Sequence, residues 1–428
     1  FLDEFRRGVN EDDEERVSTL LFTKDFQRGA VNAMVQYTQD PDYGHGNTSL
    51  SKDPTVQKMP ELSAFLYKDR IPGLEALPLE FEAELSAGHF HRTYGISGQR
   101  LDFHPRLSMP LTSPYGSLIP SAGYRATIYS LDTVQNLGPR QSHETNQHRD
   151  MADVNILAST EFFRTWDLDG ESLVATSENL GESHWTGLKH SIQPRAQYDW
   201  IPFDEQRTLP YFDPKDRIQE KDQLTYSLTN VLTRKREQVV GPVGPGRETT
   251  KPGLQIDYLD FVNLRLEQGY DFSEATRNEK TDRFERRPFT DFLADLTVRV
   301  DERFSINNRT WYSPYIGEVT EHAHTLNLDI PDWIGASVGL DYLGEVHEYK
   351  RRYREDMNIL SMGVDLPLVN GLSLGVGYKT DLNAERDLEG SLALTYRHQC
   401  FDITVQASTT PMEDRVEGWV NLMGINFF

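Results

Sequence analysis

Cysteine and long apolar runs are almost absent from this chain of 428 residues. The single cysteine, Cys400, excludes a disulfide within the chain, and the scarcity of thiols mildly favours an oxidising compartment. No apolar run approaches the roughly 18 residues of a membrane-spanning helix, and the mean hydropathy is -0.60. Helical membrane spans are thereby excluded. Membrane strands are not, because they alternate apolar with polar residues and are hydrophilic on average.

Positive charge is also scarce. The chain carries 44 lysines and arginines against 67 aspartates and glutamates, which gives a formal net charge of -23. A nucleic-acid partner needs clustered lysine and arginine, so this balance argues against one. The HExxH, CxxC, GxSxG, GxGxxG and Walker patterns are missing from the sequence. We therefore expect no enzyme activity, no catalytic or metal-binding residues and no cofactor.

Period-two alternation is the main signal that the sequence does contain, and it is clearest in the last third. In one example, apolar residues alternate with small or polar ones. The apolar residues are Leu372, Leu374, Val376 and Tyr378, and the residues between them are Ser373, Gly375, Gly377 and Lys379. The same pattern recurs over residues 334–342, 391–397 and 401–407. Such alternation is typical of strands with one apolar face and one polar face.

Less regular strands are predicted upstream. They lie near residues 14–24, 27–39, 57–69, 78–92, 98–111, 117–131, 148–166, 185–201, 222–236, 254–272, 287–301, 303–317 and 320–330. With the C-terminal series the total is about 19 strands, each with boundary errors of about 2–4 residues. Many exceed the roughly 9–11 residues that a tilted strand needs to cross a bilayer. Almost no segment is typical of a helix. We predict an all-β fold, a large antiparallel transmembrane β-barrel.

Charged residues at alternate strand positions indicate which face would line the interior of such a barrel. Glu80, Glu82 and Glu84 share one face of a predicted strand. On a lipid-facing surface each charge would be costly, so we expect these three residues, with Lys379 and Arg397, to face the lumen. Paired carboxylates also serve glycoside hydrolysis, which leaves a secreted carbohydrate-active enzyme as a less favoured alternative.

The C-terminus carries a second signal of the outer membrane. The chain ends in Asn426-Phe427-Phe428, and apolar residues precede that ending in the last predicted strand, 414–428: Trp419, Val420, Leu422 and Ile425. A terminal phenylalanine that closes an alternating strand resembles the signal read by the barrel assembly machinery. We predict that these residues, with Phe428, form both that signal and a strand of the barrel.

One segment carries the most distinctive motif. It reads His190-Ser191-Ile192-Gln193-Pro194-Arg195, and continues with Tyr198, Trp200-Ile201-Pro202, Gln206, Leu209-Pro210, Phe212-Asp213, Asp216-Arg217-Ile218 and Asp222-Gln223-Leu224. Three shorter motifs lie in matching order: Met59-Pro60-Glu61-Leu62, His104-Pro105-Arg106-Leu107 with Met109-Pro110-Leu111, and Tyr396 to Phe401. In content and order these segments resemble the LptD family of lipopolysaccharide-assembly proteins, over approximately residues 56–428.

The resemblance implies a function and a set of partners. Members of the family are large outer-membrane barrels that insert lipopolysaccharide into the outer leaflet through a lateral gate between the first and last strands. It implies an LptE-like lipoprotein in the lumen, periplasmic bridge proteins and the barrel assembly machinery as partners. A general porin or solute channel stays open as an alternative, since it would show the same alternation and terminal phenylalanine.

The resemblance also implies that this chain lacks parts of the structure found in the family. The family barrel has about two dozen strands and a periplasmic jelly-roll domain in front of it, so this chain, which starts at Phe1 without an initiator methionine, is expected to be the C-terminal part of a longer protein. The domain prediction is a barrel over residues 1–428 that lacks the jelly-roll domain and the first strands. Cys400 matches the family cysteine that bonds to the N-terminal domain, and a free buried thiol is the alternative.

Overall fold

The computed structural model consists almost entirely of β-strands. It describes residues 16–40, 43, 49–74, 76–134, 141–168, 176, 178–241, 253–301, 303–349, 351–353, 356–369 and 371–422. Twenty-one strands belong to one sheet, and two short strands form a separate pair. The pairing between neighbouring strands is antiparallel. The predicted all-β, antiparallel fold is confirmed.

The first twelve strands extend to residue 271. They are β1 (Arg16–Phe26), β2 (Gly29–Gln39), β3 (Gln57–Arg70), β4 (Glu80–His91), β5 (Ile96–Ser108), β6 (Leu111–Ser113), β7 (Gly116–Val134), β8 (Asn146–Ser159), β9 (Phe162–Asp167), β10 (Ser183–Ile201), β11 (Lys221–Val240) and β12 (Gly253–Asp271).

The remaining strands follow one short helix, α1 (Phe272–Thr276), whose first turn is capped by the Asp271 carboxylate. They are β13 (Phe292–Arg299), β14 (Phe304–Ser313), β15 (Glu318–Ile330), β16 (Ile334–Leu343), β17 (Val346–His347), β18 (Arg352–Tyr353), β19 (Met357–Val369), β20 (Leu372–Asp381), β21 (Arg386–Arg397), β22 (Phe401–Thr409) and β23 (Asp414–Leu422). Within the described residues, no helix combines the length and the apolarity that crossing a membrane requires.

Most predicted strands lie within a few residues of the observed ones, but the single strand predicted over 148–166 is wrong. The structure divides it into β8 and β9 at Thr160 and Glu161. Thr160 donates to the carbonyl of Pro194, and Pro194 has no N–H to return a bond. The ladder is interrupted at that point, and the strand breaks there. The last six residues, including Ile425 and Phe428, lie outside the described part of the chain.

The chain divides into two compact units. Unit 1 comprises residues 1–158 and 197–224, and unit 2 comprises residues 159–196 and 225–428. In each unit the register of the strands separates side chains into two faces, because successive residues of a strand point to opposite sides.

In unit 1, neighbouring rows across β2, β3, β4, β5 and β7 have opposite character. One row is Ala33, Leu62, Ala87, Leu101 and Ile128, and the row beside it is Met34, Glu61, Gly88, Arg100 and Tyr129. Leu62, Leu101 and Ile128 are exposed by 51%, 43% and 53%, whereas Glu61, Arg100 and Tyr129 are buried. Water-soluble proteins usually bury leucine and expose arginine, so this arrangement is the reverse of theirs. We call these surfaces the apolar face and the polar face.

Unit 2 shows the same segregation across seven strands. Its apolar row is Val262, Val298, Ile306, Leu326, Val338, Met362 and Tyr378, and the adjacent row is Asn263, Thr297, Asn307, Thr325, Gly339, Ser361 and Lys379. Leu326 and Val338 are both exposed. Apart from Lys379, this row of the polar face consists of short hydroxyl, amide and glycine residues. The alternation predicted from the sequence is therefore confirmed by the strand register.

Candidate functional site

The candidate site is the β10–β11 loop, residues 202–220, which folds onto the polar face of unit 1. Gln206 holds the two ends of the loop together: its Nε2 donates to the Ile218 carbonyl at 2.7 Å, and its Oε1 accepts from the Ile218 amide at 2.9 Å. Arg217 donates to the carbonyls of Leu209 and Pro210 at 2.9 and 3.0 Å. Internal hydrogen bonds of this kind give the loop a fixed shape.

Asp216 is the most buried acid of the loop. It lies in a 3₁₀ turn, Pro214–Asp216, in which Asp213 and Asp216 form a reciprocal capping box. Its carboxylate accepts from the amides of Phe212 and Asp213 at 2.7 and 3.0 Å. It also accepts from the Tyr129 hydroxyl at 2.8 Å. A fully buried carboxylate is stable only with such a set of donors.

Arg100 on β5 supplies the positive charge that the loop needs. Its guanidinium donates to both oxygens of Asp213 at 2.6 and 2.8 Å, and to Asp216 at 2.8 Å. It also lies 4.7 Å from the centroid of the Phe90 ring, which stacks on Phe212 with centroids 4.6 Å apart. A bidentate pair with a cation–π contact fixes the arginine in one orientation.

The electrostatics of Asp213 show that this contact persists at neutral pH. Burial alone would raise the pKa of Asp213, but hydrogen bonds from Arg100 and the charges of Arg100 and Lys58 hold that pKa below its ordinary value. A carboxylate with a depressed folded-state pKa contributes stability above its unfolded-state pKa, and loses that contribution as the pH falls through the folded-state value. The contribution of Asp213 to the attachment of the loop therefore weakens only as the pH falls below the ordinary pKa of an aspartate.

Arg149 on β8 forms a second anchor of the loop. Its guanidinium donates to the Gln206 side chain at 2.8 Å, to the Lys215 carbonyl at 2.9 Å and to the Thr127 hydroxyl at 2.9 Å. Lys215 in turn donates to Glu84 at 2.6 Å. The loop is thus tied to β4, β5, β7 and β8 by charged groups, beside a small buried cluster that contains Phe90, Tyr129 and Phe212.

Ion pairs continue along the polar face beyond the loop. Asp102 accepts from Arg125 at 3.0 Å and from Thr127 at 2.7 Å. Asp153 bridges His104, at 2.7 Å, and Arg106. These side chains occupy the polar face of unit 1 with paired charges.

The interior-facing residues predicted from the sequence lie on polar faces. Glu80 and Glu82 share the face of Glu84, since the three alternate on β4, and Glu84 binds the loop through Lys215. In unit 2, Lys379 pairs with Glu389 at 3.0 Å on neighbouring strands. Arg397 is exposed at the end of β21. Their assignment to a lumen stays a prediction.

The C-terminal strand and the cysteine both lie in unit 2. β23 pairs with β22, and Val420 and Trp419, exposed by 57% and 40%, stand opposite Ile403 and Thr404. Leu422 ends β23. Cys400 is an exposed thiol in the bend between β21 and β22. The thiol is free and exposed in this chain, so the burial expected in the alternative is wrong, and the disulfide stays a prediction.

Sequence reasoning identified the loop but missed its partners. The motif contained Gln206, Phe212, Asp213, Asp216 and Arg217, but not the residues of other strands that bind them. Arg100, Tyr129 and Arg149 lie 57 to 116 residues away from the loop atoms they bind, so no local spacing links them. The available signal was the alternation of charge in β5, where Arg100, Asp102, His104 and Arg106 interleave with apolar residues.

The chemistry of the site is structural. Asp213 and Asp216 accept hydrogen bonds from Arg100 and from backbone amides, and in the described part of the chain no three histidine, cysteine, aspartate or glutamate side chains group as metal ligands. What the arrangement does is hold a loop rigidly against the strands. An exposed apolar face, a charge-lined polar face and long antiparallel strands together define the class of outer-membrane β proteins.

The comparison with known families places the chain within that class. The family model LptD, LPS transport system D, matches residues 5–372. The chain belongs to the LptD family, and its location is the bacterial outer membrane, as the motifs predicted.

Relatives agree with this assignment. The LPS-assembly protein LptD of Alkalilimnicola ehrlichii is 25% identical over 334 residues, which cover 72% of this chain and 37% of the relative. The LPS-assembly protein LptD of Xanthomonas campestris is 29% identical over 243 residues, which cover 52% and 26%. The chain thus spans well under half the length of these relatives. The siderophore receptor PirA of Acinetobacter baumannii, a solved structure, aligns over 96% of this chain and 70% of its own at 6% identity, with a TM-score of 0.40.

Proposed function

We propose that this chain is the C-terminal part of a membrane-spanning barrel that transports lipopolysaccharide and inserts it into the outer leaflet of the outer membrane. The supporting observation is the two-faced sheet of a chain in the LptD family. The acyl region of such a lipid would move along apolar surface while its charged saccharide crosses a polar interior. No covalent step is required, so we infer a transporter rather than an enzyme.

The longer protein would carry the parts that this function also needs. By resemblance to the family, these are the first strands, a periplasmic jelly-roll domain that contacts the bridge proteins, and an LptE-like lipoprotein bound inside. We propose β23 as the C-terminal side of the lateral gate. Trp419 supports this, because its exposed indole lies on the polar face, opposite Thr404. The indole would give an acyl chain an apolar surface to contact at that position.

Depletion of the full-length protein in its own host tests the transport function. We expect surface lipopolysaccharide to fall and newly made lipopolysaccharide to accumulate at the inner membrane, measured by outer-leaflet modification and by membrane fractionation. Expression of the full-length protein from a second locus is the control and should restore the surface level. Unchanged surface lipopolysaccharide with slower uptake of small solutes would instead identify a porin.

Cys400 gives a second test, in the full-length protein. We propose that its thiol forms a disulfide with the N-terminal domain, because it matches the family cysteine and is exposed. Non-reducing electrophoresis should show a mobility shift relative to the reduced sample, and that shift should be lost in Cys400→Ser. The same pattern for both forms would rule out the bond.

A further inference from the structure

A polar patch interrupts the apolar face of unit 2 near one end of the strands. His322 and His324 on β15 share the face of Leu326, because the three alternate along the strand. Their register partners are Thr310 and Asn308 on β14, and Tyr342 and Leu340 on β16. We call the patch formed by Asn308, Thr310, His322, His324 and Tyr342 the histidine patch.

The depth of the patch matches the headgroup region of a bilayer. Thr310 lies three residues before the end of β14, His322 four residues after the start of β15, and Tyr342 one residue before the end of β16. At about 3.4 Å per residue, Thr310 and Tyr342 stand roughly 10 Å or less from the strand ends. His322 stands roughly 14 Å from the start of β15 along the strand, which is about 10 Å along the bilayer normal for a strand tilted by about 45°. Tyr312, exposed by 43%, lies at the same end of β14, as expected for an interfacial aromatic belt.

Two polar atoms at this end of the sheet lack partners. Among the described residues, His322 Nε2 and Asn358 Oδ1 are buried and make no hydrogen bond, and Asn358 on β19 stands opposite Tyr342. A buried, unpaired polar group is costly. An imidazole nitrogen and an amide oxygen need different partners, so a matching ligand must both accept and donate.

No carboxylate shares the face of the histidine patch, although Asp341 on the opposite face is near enough to His324 to interact with its charge. The rings of His322 and His324 lie 4.6 Å apart, and His322 lies 5.2 Å from Tyr342. The residues facing the pair from β14 and β16 are Asn308, Thr310, Leu340 and Tyr342, all of them neutral. The carboxylates of Glu321 and Asp341 belong to the opposite face, because these residues alternate with His322 and Tyr342 along their strands. When the imidazoles are protonated, the missing partner is an anion.

We propose that the histidine patch binds the headgroup of a phosphorylated glycolipid in the leaflet at this end of the sheet. The phosphate accepts from protonated His322 and His324, and from the Tyr342 hydroxyl. A sugar hydroxyl or amide of the same headgroup donates to Asn358. The choice of leaflet rests on the proposed function. The bend with Cys400 lies at the opposite end of the strands, and by the proposed disulfide that end would face the periplasm. The histidine patch therefore faces the outer leaflet.

The sign of the pH dependence follows from the charges. A histidine side chain gains positive charge as the pH falls, so the two rings become better donors to a phosphate in acid. Binding of the phosphate therefore strengthens in mild acid. Each protonated histidine contributes a charge-assisted hydrogen bond.

The test uses the full-length protein in nanodiscs of phosphatidylcholine with a minor fraction of diphosphorylated lipid A. Native mass spectrometry would count the lipid A retained per protein at about pH 5 and about pH 8, the limits between which free histidine changes charge. We expect about tenfold tighter retention in acid for the native chain. In the double variant His322→Gln/His324→Gln, retention should be weak at both values. Folding of each variant is first checked by its heat-modifiable mobility on electrophoresis.

A second histidine pair with the same spacing provides the matched control. His89 and His91 alternate on β4, but His89 already has a carboxylate partner, Asp132, at 3.0 Å. His89→Gln/His91→Gln should therefore leave lipid A retention and its pH dependence unchanged.

Three results would overturn the proposal. The first is equal retention of lipid A in acid by the native chain and by the His322→Gln/His324→Gln variant. The second is a loss of lipid A retention in the control variant as large as that in the His322→Gln/His324→Gln variant. The third is retention of phosphatidylglycerol, which carries no sugar, equal to that of lipid A. Displacement of the lipid by excess inorganic phosphate would show a site for a free anion instead. Because the nanodiscs contain no export machinery, failure here leaves the transport proposal standing, and failed transport in cells leaves this binding result standing.

Discussion

Replacing Arg100 with alanine should destabilise the protein by about 3–5 kcal/mol, which is the usual cost of removing one partner from a buried ion pair. Only 1% of the Arg100 side chain is exposed, and Asp216, which it contacts, is fully buried. Without the guanidinium, Asp213 and Asp216 share a buried site with far less compensating charge. We expect the β10–β11 loop to detach, seen as a lower unfolding midpoint in detergent and as new protease cleavage within residues 202–220.

An exposed ion pair provides the control for this prediction. Arg309→Ala removes an arginine bound to Asp295 at 2.9 Å, but the Arg309 side chain is 51% exposed, so solvent screening limits the effect to at most about 1 kcal/mol. An Arg100→Ala protein that unfolds like the Arg309→Ala protein, with the loop still resistant to protease, would show that the buried network does not hold the loop.

A charge on the apolar face should have the second large effect. We expect Leu326→Arg to cost about 2–4 kcal/mol for a position near the bilayer midplane. Leu326 is 44% exposed and sits in the apolar row of unit 2. In water, an exposed position of this kind would tolerate the change within about 0.5 kcal/mol. The measurement is the free energy of folding into lipid bilayers, followed by heat-modifiable electrophoresis.

The neighbouring residue supplies a matched variant. Thr325→Arg introduces the same side chain one position earlier, on the polar face, where Asn307 and Gly339 are the register partners. Thr325→Arg should fold with nearly the native free energy. Equal costs for the two variants would contradict the assignment of the faces, and a negligible cost for Leu326→Arg would argue against contact with lipid.

The sequence was sufficient to predict the strands because alternation is a local property. Leu372 to Lys379 reveal two faces without any knowledge of the neighbouring strands, and the register then places Tyr378 beside Met362 and Lys379 beside Ser361. The break between β8 and β9 was not predictable in this way. It depends on Pro194, which lies more than thirty residues further along the chain.

The candidate site was predictable only in part, for the same physical reason. Asp213 and Asp216 belong to a motif that could be read along the chain, and its residues do form one compact loop. Arg100 and Arg149, which neutralise and anchor the loop, are set by strand register and not by spacing. The histidine patch shows the same limit: His322 and His324 are adjacent in the sequence pattern, but only the register with β14 and β16 shows that no acid faces them.

The position of the lone thiol has a practical consequence. Cys400 is exposed at a bend, and this chain has no other cysteine. Once the proposed disulfide is reduced, a maleimide dye would attach within this chain at one defined place, at the end of unit 2 opposite the histidine patch. In sealed vesicles, a dye that cannot cross the bilayer would react from one compartment only, so the labelled side would report directly how the protein is inserted.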